Sequence, residues 1–185
     1  MSEAQKARRR HDPQRREKIT AAALEVIARH GVAGTTHRRV AEAADVPLGS
    51  LTYHFESLEE LVIEAFTRLD RQISGYYWRM LEAAKNPAEA EEAIVEIICG
   101  STWTDPYMTQ LFELYAFAAR KPEIRRNLSD WMSHSRQAME LHFKPHTARA
   151  LDAIIEGATI HNMASEGHLP HQEVRAIVRA IVAMG

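Results

Sequence analysis

Apolar residues along this chain fall at helical spacing. Ile19, Ala22, Ala23, Val26 and Ile27 recur at the i, i+3, i+4, i+7 positions of one helix face. Asp12 and Pro13 supply the start signal of that helix and Gly31 its stop. In GTTHRRVAEAAD, Thr35 or Thr36 offers an N-cap for about two turns that turn Val40, Ala41 and Ala44 inward. A brief turn at Asp45 and Val46 leads to a third helix, with Pro47 in its first turn and Leu51 and Phe55 as its anchors. From Ser57 a longer stripe begins, Leu58, Leu61, Val62, Ala65, Phe66, Leu69 and Ile73, and the helix carries on to about Lys85. Asn86 and Pro87 break it. The remainder predicts helices near 87–99, 105–120, 122–143, 146–166 and 171–183, separated by glycine and proline signals. No segment sustains the alternation of a half-buried strand, and no internal repeat is visible, so the pattern predicts an all-α fold.

The short third helix poses a question of chemistry. In VPLGSLTYHF, residues 46–55, Leu51 and Phe55 are taken up by the core, which leaves Leu48, Ser50, Thr52, Tyr53 and His54 facing outward. Gly49 sits inside the same helix at a cost of roughly 1 kcal/mol relative to alanine. A bare backbone there allows close approach to DNA or to the second helix. Three helices of about 18, 8 and 8 residues, the last two joined by a tight turn, have the layout of a helix-turn-helix. Its outward groups would then be small enough to reach base edges or able to donate to phosphate.

Residues 31–62, GVAGTTHRRVAEAADVPLGSLTYHFESLEELV, resemble the DNA-binding signature of the tetracycline-repressor (TetR) family. The likeness lies in the glycine after the first helix, the Thr-Thr opening the second, VAEAADV before the turn, and Gly49. It extends to the Leu51 to Phe55 core with Tyr53 and His54, and to a Ser57 cap on an acidic, apolar fourth helix. It is specific over residues 14–66 or so, and beyond them only the succession of helices fits. The resemblance implies a homodimer whose two N-terminal units grip a palindromic double-stranded DNA operator, while the C-terminal domain holds an effector and pairs the subunits. Carried over by position, Thr36, Tyr53 and His54 would contact phosphate, and Leu48, Ser50 and Thr52 would lie against bases. Family members often place lysine where this chain has Leu48 and Leu58. Arg38, Arg39 and the arginines of the N-terminal arm are the nearest replacements for those lost phosphate contacts. The expected organisation is a disordered basic arm over 1–12, a helix-turn-helix domain over 13–56, and an effector-binding and dimerisation domain over 57–185.

Charge supports this division. The net charge of the whole chain is -2. Residues 1–55 nevertheless carry ten Lys and Arg against six Asp and Glu, and residues 56–185 carry thirteen against nineteen. The densest basic run, KARRRHDPQRREK, suits a polyanion. Deleting residues 1–12 is accordingly expected to weaken DNA binding at low salt. Apolar runs stay well short of the roughly 18 residues that cross a bilayer, and no signal peptide is visible, which points to a cytoplasmic protein with no membrane partner. Cys99, the single cysteine, lies among apolar neighbours and reads as a buried thiol.

The second domain concentrates large side chains between 101 and 143. Trp103, Met108, Phe112, Tyr115 and Trp131, with His161 as a polar interruption, are the candidate lining of a cavity for a partly apolar, aromatic-compatible ligand. Such residues also serve as ordinary core. The stripes Leu151, Ile155 and Ala158, then Val174, Ile177, Val178 and Ile181, suit a four-helix bundle built by two copies across a two-fold axis. Packing within one chain is their alternative use. His142 and His146 have two-ligand spacing, but Pro145 breaks the helix that would align them, so no metal site and no cofactor is expected. No H-E-x-x-H, P-loop or G-x-G-x-x-G motif is present, and no enzyme activity is expected. The expected function is a transcriptional repressor released from its operator by a small molecule. The alternative is an effector-independent DNA-binding regulator acting through protein partners.

Overall fold

A computed structural model describes residues 14–100, 104–164 and 169–185, apart from the side chains of residues 123 and 127. The expected basic arm, the Asp12 and Pro13 start signal and Trp103 lie outside the described residues. Within them the chain forms α1 (Arg15–His30), α2 (His37–Ala43), α3 (Leu48–His54), α4 (Leu58–Ala83) and α5 (Pro87–Cys99). Then follow α6 (Asp105–Arg120), α7 (Pro122–Met139), α8 (Pro145–Ala164) and α9 (His171–Ala183), with no strand among the described residues. The chain divides between Leu69 and Asp70 into two compact units.

The first unit closes over one apolar core. Ile19, Ala23 and Ile27 of α1, Val40 of α2, Leu51 of α3 and Leu61 and Ala65 of α4 are fully buried. Phe55 joins them just past the end of α3. The helix ends are set by local chemistry. Gly31 stops α1 with φ 67, a left-handed conformation that suits a residue without Cβ, and its N–H still reaches the Ile27 carbonyl. Thr36 caps α2, its hydroxyl accepting from the Arg39 N–H at 3.2 Å, while Thr35 is buried and donates to the Gly31 carbonyl. Asp45, with φ 48, makes the turn into α3. At the start of α4, Ser57 Oγ accepts from the Glu60 N–H and the Glu60 carboxylate accepts from the Glu56 N–H, so two otherwise orphaned donors are satisfied.

In the second unit Asn86 caps α5, accepting from the Glu89 N–H at 3.0 Å, and Pro87 fills the first turn. Leu81, Ile94, Ile97, Met139, Leu151 and Val178 are among its fully buried residues. Helix α7 stops at Met139, four residues before the expected end. Residues 140–143 form turn hydrogen bonds back to Arg136, Ala138 and Met139, and Pro145 has no N–H with which to continue a helix.

The stripes assigned to a dimer interface need correction. Leu151, Ile155, Ala158, Val174 and Val178 are all buried within a single chain, so they serve intrachain packing, as their alternative reading had it. Ile177 is exposed and Ile181 half-buried, and these two remain free to face outward. No described helix is long and apolar enough to cross a membrane.

Candidate nucleic-acid interface and ligand cluster

The inward and outward faces of α3 are sharply separated. Leu51 and Phe55 are buried, while Leu48 is 52% exposed and Tyr53 84% exposed. Thr52 is exposed, and Ser50 and His54 are half-buried. A side chain as large as Tyr53 left almost wholly in water, on a helix of seven residues, has no packing role in its own chain. Its ring meets that of His54 edge-on at 5.0 Å between centroids. Gly49 is exposed, and a Cβ there would meet nothing within 4 Å. Close packing against α2 therefore does not account for this glycine. Thr36 and the two arginines of α2 are also exposed. Arg38 pairs with Glu42 one turn on at 3.2 Å, in a setting open to solvent, and Arg39 donates to the Gly34 carbonyl. Helices α2 and α3 flank an open depression of about 400 Å³ lined by Arg38, Glu42, Asp45 and Leu48 with Ala41 and Val46.

One residue that holds this surface in place escaped the sequence reading. Arg16, at the start of α1, donates through Nε to both carboxylate oxygens of Glu64, at 3.0 and 2.9 Å. Its other nitrogens reach Glu60 at 3.1 Å and the backbone carbonyl of His54, at the last turn of α3. The guanidinium carbon also lies 4.4 Å from the centre of the Phe55 ring. One side chain thus ties the end of α3 to α1 and α4. The available signal was an acidic pair one turn apart, Glu60 and Glu64, on a helix with an otherwise apolar face. The Glu64 carboxylate raises the pKa of Arg16 above its usual value. Burial, then Arg16 and Arg15, lowers that of His54.

Of the expected ligand-lining residues in the second unit, Met108 and Trp131 are buried and Phe112 and Tyr115 half-buried. The Tyr115 and Trp131 rings are parallel within 3°, with centroids 6.4 Å apart. His161 is exposed. The groups that sequence reasoning passed over here are carboxylates. The Tyr115 hydroxyl donates to Glu156, and one turn earlier on α8 Asp152 meets Arg136 at 3.2 Å. Burial raises the pKa of both acids. A glutamate in a helix reads as surface from sequence, and the half-buried position of Glu156 becomes visible only when α6 and α8 are both in place. Among the described residues no group of three or more His, Cys, Asp or Glu is arranged to hold a metal ion.

Comparison with known proteins bears on both units. The family model for bacterial regulatory proteins of the tetR family matches residues 19–65. The model for the tetracyclin repressor-like C-terminal domain matches residues 85–184. A candidate transcriptional regulator from Streptomyces coelicolor A3(2) is 41% identical with a TM-score of 0.83, over 92% of this chain and 99% of that one. The multidrug binding protein EbrR in complex with imidazole is 31% identical with a TM-score of 0.71, over 94% of this chain and 92% of that one. Other EbrR structures contain ethidium, proflavin and malachite green. The transcriptional repressor KstR2 of Mycolicibacterium smegmatis is 33% identical over 75 residues, which are 40% of this chain and 37% of that protein.

Proposed function

Because this chain belongs to the tetR family of bacterial regulatory proteins, and is thus a helix-turn-helix DNA-binding regulator, we propose that it is a repressor released from a palindromic operator by a small aromatic molecule. The observation that carries the DNA side of this reading is the outward face of α3, where Tyr53, Thr52 and Leu48 stand in solvent above the buried Leu51 and Phe55. Thr36, Tyr53 and His54 supply hydrogen bonds to phosphate, with Arg38 and Arg39 nearby. Leu48, Ser50 and Thr52 lie against base edges. Two such helices must reach successive major grooves roughly 34 Å apart, so the active form is a homodimer. Exposed Ile160, Met163 and Ile177 on α8 and α9 offer apolar surface for that pairing.

The effector side rests on the second unit and on its likeness to EbrR. The Tyr115 and Trp131 rings, with Met108 and Phe112, provide flat apolar surfaces beside polar groups, the composition of a site for a small aromatic ligand. This cluster favours the ligand-released reading over an effector-independent regulator. Release requires that the ligand prefer a conformer that holds DNA less well, since a ligand shifts an equilibrium only by its differential affinity. An electrophoretic mobility shift with the intergenic DNA beside its own gene, with and without malachite green, together with a titration of that dye against the free protein and against the DNA alone, tests both halves. A specific complex dissolved by the ligand supports the reading, and absence of any specific complex refutes it.

A further inference from the structure

Arg15 and Arg16 are neighbours in sequence and are used in opposite ways. The Arg16 guanidinium is spent on Glu64, Glu60 and the His54 carbonyl. Arg15, at the start of α1, has no ion pair or hydrogen bond from its side chain among the described residues. It is nevertheless half-buried, and its Nε is closed off from solvent with no acceptor in reach. Buried donors of this kind are ordinarily met, so an arginine held against the protein without a partner is placed for a group that the chain does not supply.

Its place is the last turn of α3. The Arg16 contacts with the His54 carbonyl and the Phe55 ring bring the first turn of α1 against that turn, and the Arg15 charge is close enough to act on the His54 ring. The exposed Tyr53 meets the same ring edge-on. A guanidinium, an imidazole and an exposed phenol, all able to donate to one anion, thus gather at one end of α3.

Charge gives a second, independent reason. From Val40 to Thr67, the stretch that contains α3 and the first turns of α4, there is no Lys or Arg against six acids, Glu42, Asp45, Glu56, Glu59, Glu60 and Glu64. A helix in so acidic a stretch is repelled by the phosphates that flank a groove unless cations reach it from other helices. On α2, Arg38 is paired with Glu42 beside Leu48, and Arg39 donates to the Gly34 carbonyl. Arg15 is the unpaired arginine that α1 delivers to the opposite end of α3.

We infer that Arg15 takes a DNA backbone phosphate beside the last turn of α3, sharing it with the Tyr53 hydroxyl and His54. The inference rests on the DNA reading given above and adds to it a contact from α1, outside both α2 and α3 and outside the basic arm. The planar fork of an arginine suits two oxygens of one phosphate. Such a contact fixes the angle of α3 in the groove and carries no sequence information of its own.

The test uses the full-length protein, the operator fragment retained in the mobility shift, and an unrelated duplex of the same length. Arg15→Gln is expected to weaken binding to both duplexes by the same factor, roughly tenfold or more at low salt, as befits a hydrogen bond to a charged group. The slope of log affinity against log salt should become shallower by about one unit for each subunit bound. Arg15→Lys keeps the charge without the fork, and should restore the slope and only part of the affinity. Both variants should melt as the unaltered protein does, since no bond within the chain is lost. In ethylation interference, the unaltered protein should be blocked at a phosphate to whose modification Arg15→Gln is indifferent. An unchanged slope, an unchanged interference pattern, a loss confined to the operator, or a melting temperature that falls with the affinity overturns the inference and leaves DNA binding in place. An unaltered protein that binds neither duplex overturns the DNA reading itself, and the inference with it.

Discussion

Arg16 and Glu64, 48 residues apart in sequence, meet side-on, with Arg16 Nε at 3.0 and 2.9 Å from the two carboxylate oxygens. The same guanidinium caps the His54 carbonyl and covers the Phe55 ring, so the angle at which α3 leaves the core depends on a residue at the start of α1. Arg16→Ala is expected to destabilise the protein by about 1–2 kcal/mol, the lower part of the range for so many contacts because the side chain is 41% exposed and its charge is screened. DNA affinity should fall with it, since the C-terminal turn of α3 loses its tether. Urea unfolding and fluorescence anisotropy on the same preparation check the two effects. Unchanged unfolding would show that the cluster holds nothing in place.

Gly49 offers a test in which stability and function move oppositely. A Cβ there meets open space, so Gly49→Ala should stabilise the free protein by up to about 1 kcal/mol through helix propensity alone. The same methyl group would stand between the α3 backbone and the DNA. Affinity for the operator should therefore drop while the melting temperature rises, and affinity unaffected by the substitution would show that the backbone does not approach DNA at this position.

Leu48 is half in water at a position where related proteins often carry lysine, next to the depression between α2 and α3. Leu48→Lys is expected to add a phosphate contact, strengthening binding at low salt and steepening the slope of log affinity against log salt by about one unit. Anisotropy titrations across a salt series read that slope directly. An unaltered slope would place Leu48 away from the phosphate backbone.

His54 predicts a pH dependence with a definite sign. Burial, Arg16 and Arg15 lower its pKa below the ordinary 6.5. Between the folded value and 6.5 the native chain therefore binds fewer protons than the unfolded chain. Stability is highest above that window and declines as pH falls through it. A phosphate beside the ring would favour the imidazolium, so DNA binding should take up a proton and strengthen over the same fall in pH. His54→Gln should flatten both profiles, as measured by thermal melts and anisotropy at a series of pH values.

The helical frame was legible because its punctuation is local. Asn86 with Pro87, Asp105 with Pro106 and Pro170 before His171 announce helix starts from a few neighbouring residues, and α5, α6 and α9 begin and end where the pattern places them. The end of α7 was read too late because Phe143 continues the apolar stripe and stays buried, although the backbone has already turned. Leu151, Ile155 and Val178 show a different limit. An apolar stripe tells that a face is covered, not whether the cover comes from the same chain or a second copy. The outward set on α3 could be anticipated because Leu51 and Phe55, four apart, fix which face is inside. Arg16 and Glu156 could not, since their partners lie 38–48 and 41 residues away.

The central claim is that the exposed groups of α3 face a DNA groove, and the direct measurement is the affinity of Tyr53→Phe and Thr52→Ala for operator DNA alongside their melting temperatures. Both side chains stand in solvent, so stability should stay within about 0.5 kcal/mol of the unaltered protein. Loss of the Tyr53 hydroxyl should weaken operator binding by roughly tenfold or more, the value of a hydrogen bond to a charged group, and loss of the Thr52 hydroxyl should relax sequence preference. Variants that melt as the unaltered protein does and bind the operator equally well would contradict the account.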